Sequence, residues 1–378
     1  MRANFSDLSV ILHGKTPTDN TVVRPIVGPQ GLVHRTQLPG GFWQCSFTIP
    51  TTEGEYWDWR ENRILHRLRL NETGGYVIWE GRLETVELLD FWLLRLTFYG
   101  YWSNWTDARF ASASGQKISY ATTGDVILKD FRDTHMHADT IQLSLDNTQI
   151  TLPGVTLTLD FDRDLSLWEA IEQLLDFGDS ANNPMDMMIY ENRVIQYKAR
   201  NPPAITWQAK LSNAFRFVPR LDWKDTSNAI NVTYDSAGSV LRTGYSVDTP
   251  SVARFIRREL VVPNIGTSNL ASATARRDTE LALRKDLQQQ TDDIVLTEVR
   301  DANGQPAPLC RVRAGDVVRF IDFVPRTTDA ASATPVLDGF RTFVVVATEC
   351  DHDGGRLTIR PDRKSQSLSH VLSRRRIR

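Results

Sequence analysis

Residues 67–105 read RLRLNETGGYVIWEGRLETVELLDFWLLRLTFYGYWSNW. Three runs within it, Tyr76 to Trp79, Arg82 to Val86 and Leu93 to Tyr99, are rich in β-branched, aromatic and leucine residues. Such runs form strands. Gly74 and Gly75 supply one turn and Leu89 and Asp90 lie near the next, so the stretch predicts a meander of antiparallel strands. Upstream, Gly28 to Pro50 is punctuated by glycine and proline, and its one dense apolar run is Phe42 to Ile49. The first hundred residues therefore read as mainly sheet. Seven of the ten tryptophans fall in or beside them (Trp43, Trp57, Trp59, Trp79, Trp92, Trp102 and Trp105), a density that suits a bulky core and a subunit interface better than a sugar platform.

The pattern changes after Ser112. Thr123 to His135 carries apolar residues at helical spacing, opened by Gly124 and Asp125, and Thr140 to Leu145 and Val155 to Phe161 alternate like strands. Ser166 followed by Glu169 is a capping box, in which each side chain satisfies the other residue's backbone N–H. It predicts a helix over 166–177 that stops near Gly178, where glycine tolerates a left-handed cap. Met187 to Tyr190 and Val194 to Lys198 flank Glu191, Asn192 and Arg193 as a hairpin, and Ile230 to Tyr234 reads as a strand. A polar, alanine-rich helix is expected over 269–290. Strands resume at Ile294 to Val299, Leu309 to Val312, Val317 to Phe323, Phe340 to Thr348 and Arg356 to Ile359. The fold class is α+β, mainly β, divided at 1–112, 113–200 and 201–378. Two hairpins, Leu83 to Thr97 and Val346 to Thr358, each end in Arg-Leu-Thr, a hint of internal duplication.

With 378 residues, 41% of them hydrophobic and 24% charged, the chain is globular in composition, which excludes wholesale disorder and a long coiled coil. A net charge of -2 sets up no basic field to draw nucleic acid or anionic membrane. Cys45, Cys310 and Cys350 are too few for a disulfide framework and are expected as buried thiols. No signal-peptide core and no run of eighteen apolar residues is present, so the chain is expected to be made in the host cytoplasm. The last fifteen residues, from Lys364, are basic and carry no carboxylate.

Catalytic chemistry has little foothold. His135, His137 and Asp139 alternate as metal ligands on an extended segment do, and the run resembles part of the metallo-β-lactamase signature. Thr140 stands where that signature continues, and no metal or cofactor is expected. Asp160, Asp162 and Asp164 lack the glycine and the distal glutamate of a calcium loop. Glu80, Glu84 and Glu87 sit on strands, where carboxylates ordinarily face solvent. There is no nucleophile elbow, phosphate loop or dinucleotide fingerprint.

Taken in order, Trp79-Glu80-Gly81-Arg82, Tyr99-Gly100-Tyr101-Trp102, Asp164 to Leu175, Pro184 to Tyr197, Asn231-Val232-Thr233-Tyr234-Asp235, the helix from Ser268 and Arg313-Ala314-Gly315-Asp316-Val317-Val318 resemble the tail hub or baseplate hub proteins of tailed bacteriophages. The resemblance runs from about Gly31 to Pro361. It implies two tail-tube-like β-barrel domains joined by mixed α/β domains, and three copies in a ring that adapts a six-fold tube to a three-fold spike or fibre. Its implied partners are other copies of itself, the tail tube or distal tail protein, a central spike or tail fibre, the tape-measure protein and, transiently, genomic DNA in a channel of acidic or neutral lining. The implied place is the virion tail tip, and no enzymatic activity is implied. Trp57, Trp59 and Trp105 are the candidate interface anchors. Two other readings are a receptor- or carbohydrate-binding minor tail protein and a metal-dependent hydrolase using His135, His137 and Asp139.

Overall fold

The structure, a computed structural model, describes residues 8–14, 22–72, 74–90, 92–110, 117–136, 143–162, 164–200, 206–215, 219–222, 226–236, 239–263, 269–286, 288–291, 293–322 and 342–362. Strand outweighs helix, as α+β, mainly β requires.

The opening segment contributes strands β1 (Leu8–His13), β2 (Val22–Ile26), β3 (Gln30–Gln37), β4 (Gly40–Pro50), β5 (Arg67–Glu72), β6 (Val77–Asp90) and β7 (Leu93–Tyr99). They lie antiparallel in the order β2-β1-β5-β6-β7-β4-β3. The two-residue period drives this arrangement: on β7, Leu94, Leu96 and Phe98 are fully buried while Arg95 faces out. The two runs read separately at Tyr76 to Trp79 and Arg82 to Val86 form one 14-residue strand. Helix α1 (Glu53–Asn62) precedes β5, with Thr52 and Glu55 making a capping box; its apolar stripe is too weak to announce it by periodicity.

The middle segment holds α2 (Ser103–Asp107), β8 (Lys117–Thr123), α3 (Gly124–Asp130), β9 (Thr156–Asp162), α4 (Leu167–Leu174), β10 (Met185–Ile189) and β11 (Ile195–Ala199). Helix α3 runs on through a π-helical turn to His135. The Ser166–Glu169 capping box opens α4 as expected, but α4 ends at Leu174 rather than 177. Gly178 does not adopt positive φ; it is needed because Thr279 and the Asn183 carbonyl crowd the place a Cβ would occupy. These elements close over their own core of Tyr101, Trp105, Phe131, Phe161, Ile171 and Met187.

The rest of the chain supplies β12 (Trp207–Ala209), β13 (Ala214–Phe215), β14 (Pro219–Asp222), β15 (Ala229–Ser236), β16 (Ser239–Arg242), β17 (Ser246–Val247), α5 (Thr249–Phe255), β18 (Glu259–Pro263) and α6 (Leu270–Arg284). It ends with β19 (Gln288–Thr291), β20 (Ile294–Leu296), β21 (Val299–Asp301), β22 (Pro306–Ala307), β23 (Val317–Phe320), β24 (Thr342–Asp351) and β25 (Arg356–Pro361). The helix expected over 269–290 stops at Arg284, and residues 288–291 pair instead with β14. Leu309 to Val312 is no strand: Leu309–Arg311 is a 3-10 turn, entered through Pro308, which cannot donate to a ladder. β15 to β18 and α6 form a small unit of their own around Ile230, Val232, Tyr234, Val262 and Ala273. Helix α6 ties that unit to the middle segment, where Ser272 Oγ accepts from the Thr158 amide at 2.7 Å and Arg276 pairs with Asp176 at 2.9 Å.

The two ends of the chain meet through β3 and β24, which are antiparallel neighbours. One continuous core joins Leu12, Phe47, Trp79 and Phe98 to Leu296, Val318, Phe343 and Ile359. The middle segment is keyed into it where β10 runs parallel to β4, with Ile189 beside Gly41. Gly41 has φ +84°, and any Cβ there would collide with the Ile189 backbone. Gly41→Ala is expected to destabilise the fold by roughly 2–4 kcal/mol, more than an exposed strand glycine would cost, as read by chemical denaturation.

Candidate assembly site at the seam between the two chain ends

The β3–β24 seam pairs Val33 with Asp351, His34 with Cys350, Arg35 with Glu349, Thr36 with Thr348 and Gln37 with Ala347. Side chains alternate across it. On the outer face the Arg35 guanidinium meets Glu349 at 2.7 Å, with both groups nearly half exposed. On the inner face the Thr36 and Thr348 hydroxyls bond at 2.6 Å, and the Thr36 oxygen also accepts from the Ala314 amide at 2.8 Å. His34 Nδ1 and His352 Nε2 lie 2.8 Å apart, both buried, so one ring donates to the other. Burial pushes the His34 pKa well below its ordinary value, and His352 and Arg313 push the same way. Burial likewise brings His352 down to about 4, against the opposing pull of Asp353 and Asp351. The pair is therefore neutral at pH 7.

Cys350 sits beside these rings, and His34, Cys350 and His352 offer ligand atoms within 4.8 Å of one another. Among the described residues this is the group able to hold a metal ion. All three cysteines are free, buried thiols, as expected from their spacing.

A second knot locks the seam to the middle segment. Arg313 Nη1 donates to Glu191 at 2.7 Å, Nη2 donates to the Val77 carbonyl, and the guanidinium lies about 5 Å from the rings of Phe42, Tyr76 and Tyr190. Tyr190 donates to the Ala314 carbonyl. One buried cation thus bonds or stacks on groups from β4, the β5–β6 turn and the β10–β11 turn. Glu80, expected at the surface, is instead buried, accepting from Tyr101 at 2.8 Å and Arg69 at 3.1 Å. A buried carboxylate needs such partners, and these link the N-terminal sheet to α2's approach.

The tryptophans separate. Trp59 and Trp105 are packed inside the chain's own cores at 2% and 0% exposure and have no face to offer a partner. Trp57 is half exposed, with Arg60 over its ring at 5.2 Å. Trp92 is a further large exposed ring, near the β6–β7 tip with Leu88 and Leu89. His135 lies against Asp130 at 3.5 Å and the Tyr120 hydroxyl at 3.3 Å, beside the Phe110 ring, and burial lowers its pKa. His137 and Asp139 lie outside the described residues.

The strand order repeats. β5-β6-β7-β4-β3 and β23-β24-β25-β20-β13 are both antiparallel throughout. Arg95-Leu96-Thr97 lies on β7 and Arg356-Leu357-Thr358 on β25, the matching third strands, and both leucines are fully buried.

Three solved structures share this architecture over nearly the whole chain. Prophage tail protein gp18 from Listeria monocytogenes EGD-e is 14% identical over 98% of this chain and 99% of that one, with a TM-score of 0.53. The tail protein from Neisseria meningitidis MC58 is 11% identical over 94% and 96%, at 0.56. The fold is that of a phage tail protein. The 43 kDa tail protein of prophage MuSo2 from Shewanella oneidensis is 11% identical over 95% and 98%, at 0.54. No family model matches the chain and no curated protein matches it in sequence.

The seam histidines should make this tail-protein fold acid-sensitive. Unfolded, each takes up a proton near pH 6.5, while folded His352 resists until about pH 4, so stability is full above about pH 6.5 and falls as pH drops toward 4. The expected loss of stability between about pH 7 and about pH 4 is on the order of 3 kcal/mol. Melting at pH 7.5 and 4.5 should show a larger loss for the native chain than for His34→Leu/His352→Leu; equal losses would assign the sensitivity elsewhere.

Proposed function

We propose that this chain is a structural hub of a bacteriophage tail tip, three copies closing into a ring that adapts a six-fold tail tube to a three-fold spike or fibre. The observation that carries the reading is the repeated five-strand order, joined within one chain at β3–β24. Two like units per chain make six in a trimer, which is the geometry a six-fold tube would rest on. The likeness to prophage tail proteins supports it at the level of fold.

In this reading each repeat is a tail-tube-like barrel unit, within 1–112 and 201–378, and residues 113–200 form the mixed domain between them. The β15–β18 unit with α6 is inserted between β13 and β20. The ring's neighbours would be the tail tube or distal tail protein above and the spike or fibre below. Tape-measure protein and then DNA would pass through its channel. The role is one of scaffolding, with no catalytic step.

Native mass spectrometry of the purified chain across a concentration series tests this. A trimer near three times 42.9 kDa is expected, with six lobes in averaged images. A hexamer would indicate a distal-tail ring, and a monomer at every concentration would count against the hub.

A further inference from the structure

The repeat also identifies how one copy would join the next. β24 has β25 on one side along most of its length. On its other side, β23 covers Thr342 to Val344 and β3 covers Ala347 to Asp351. β6 follows the same plan, with β5 against Val77 to Arg82 and β7 against Arg82 to Asp90. Leu83 still exchanges backbone hydrogen bonds with Leu65 and His66. Beyond it, from Glu84 to Asp90, β7 is the one strand paired with β6 among the described residues, although helix α1 also packs near β6. The place that β3 fills on β24 is open on β6.

The strand that would fill it has a counterpart too. β13 holds the position in the second repeat that β3 holds in the first, and among the described residues it has β20 alone beside it. The register can be carried across residue by residue. Leu96 stands opposite Phe47 and Val86; Leu357 stands opposite Leu296 and Cys350. Phe215, opposite Val295, then takes the place of Val33, opposite Ser46. Glu87, opposite Arg95, takes the place of Asp351, opposite Arg356. Within the chain Val33 pairs with Asp351.

We propose that β13 of one copy pairs antiparallel with the distal half of β6 of the next copy, Phe215 of the first lying opposite Glu87 of the second. This rests on the hub reading and gives its ring a specific joint. The joint repeats between chains the seam that β3 and β24 make within one. The surfaces suit it, because Phe215 is 59% exposed at one end and Leu65, Leu88, Leu89 and Trp92 are exposed around the other. An open strand edge flanked by large apolar side chains is a template for another strand, and a second copy of this chain supplies one in the correct register and direction.

Antiparallel partners have Cα atoms about 4.5–5.5 Å apart, within the span of a disulfide. The test is therefore Glu87→Cys/Phe215→Cys, two exposed positions in a chain whose native thiols are all buried. Mild oxidation should give covalent dimers and trimers at least tenfold above either single variant. The out-of-register pair Glu84→Cys/Phe215→Cys should not exceed the singles. If native mass shows a trimer but the in-register pair cross-links no better than the singles, the joint is wrong and the hub reading stands. If the double variant and the native chain both remain monomers, the hub reading fails and the joint with it.

Discussion

The fold depends on one strand pairing made across the length of the chain. β3 and β24 lie more than 300 positions apart in sequence, yet their ladder fuses the N-terminal and C-terminal sheets over a single core. Closing so long a loop costs conformational entropy, and the ladder alone would not offset it. The offset comes from the apolar faces the ladder aligns, since Phe47, Trp79 and Phe98 from one end and Val318, Phe343 and Ile359 from the other become mutual neighbours in one buried cluster. The polar groups enclosed at the seam are matched to each other, hydroxyl to hydroxyl and imidazole to imidazole.

The same seam explains why the remainder of the molecule can be irregular. Once the two sheets are fused, the middle segment needs only to be keyed against them, which Gly41 permits through the close passage of β10 and Arg313 secures through its three aromatic neighbours. The α6 unit is held at a further remove, through hydrogen bonds and one ion pair to the middle segment. Its own buried core is small, which makes it the part of the fold with the least independent stability.

A sheet that repeats its strand order also repeats its needs. In one repeat the second strand is flanked along its whole length; in the other, among the described residues, its distal half is paired with β7 alone and bordered by exposed leucine and tryptophan. Exposed edges of this kind are ordinarily blunted by bulges or charge, and Glu84, Glu87 and Asp90 lie along this one. Carboxylates there discourage indiscriminate pairing.

Much of the local structure was legible in the sequence, because strand alternation, glycine turns and capping boxes are short-range signals. The β6–β7 hairpin, the Ser166–Glu169 cap of α4, the β10–β11 hairpin and the buried thiols follow from neighbours within a few residues. The Thr52–Glu55 box is the same signal and would have disclosed α1. The Arg-Leu-Thr pair pointed to the repeat before the strand order displayed it. The burial of Trp59, Trp105 and Glu80, the meeting of His34 with His352 and the fusion at β3–β24 were decided by tertiary structure alone. Each depends on which distant strand lies alongside, and a chain read residue by residue carries the propensity of a strand but not the identity of its partner.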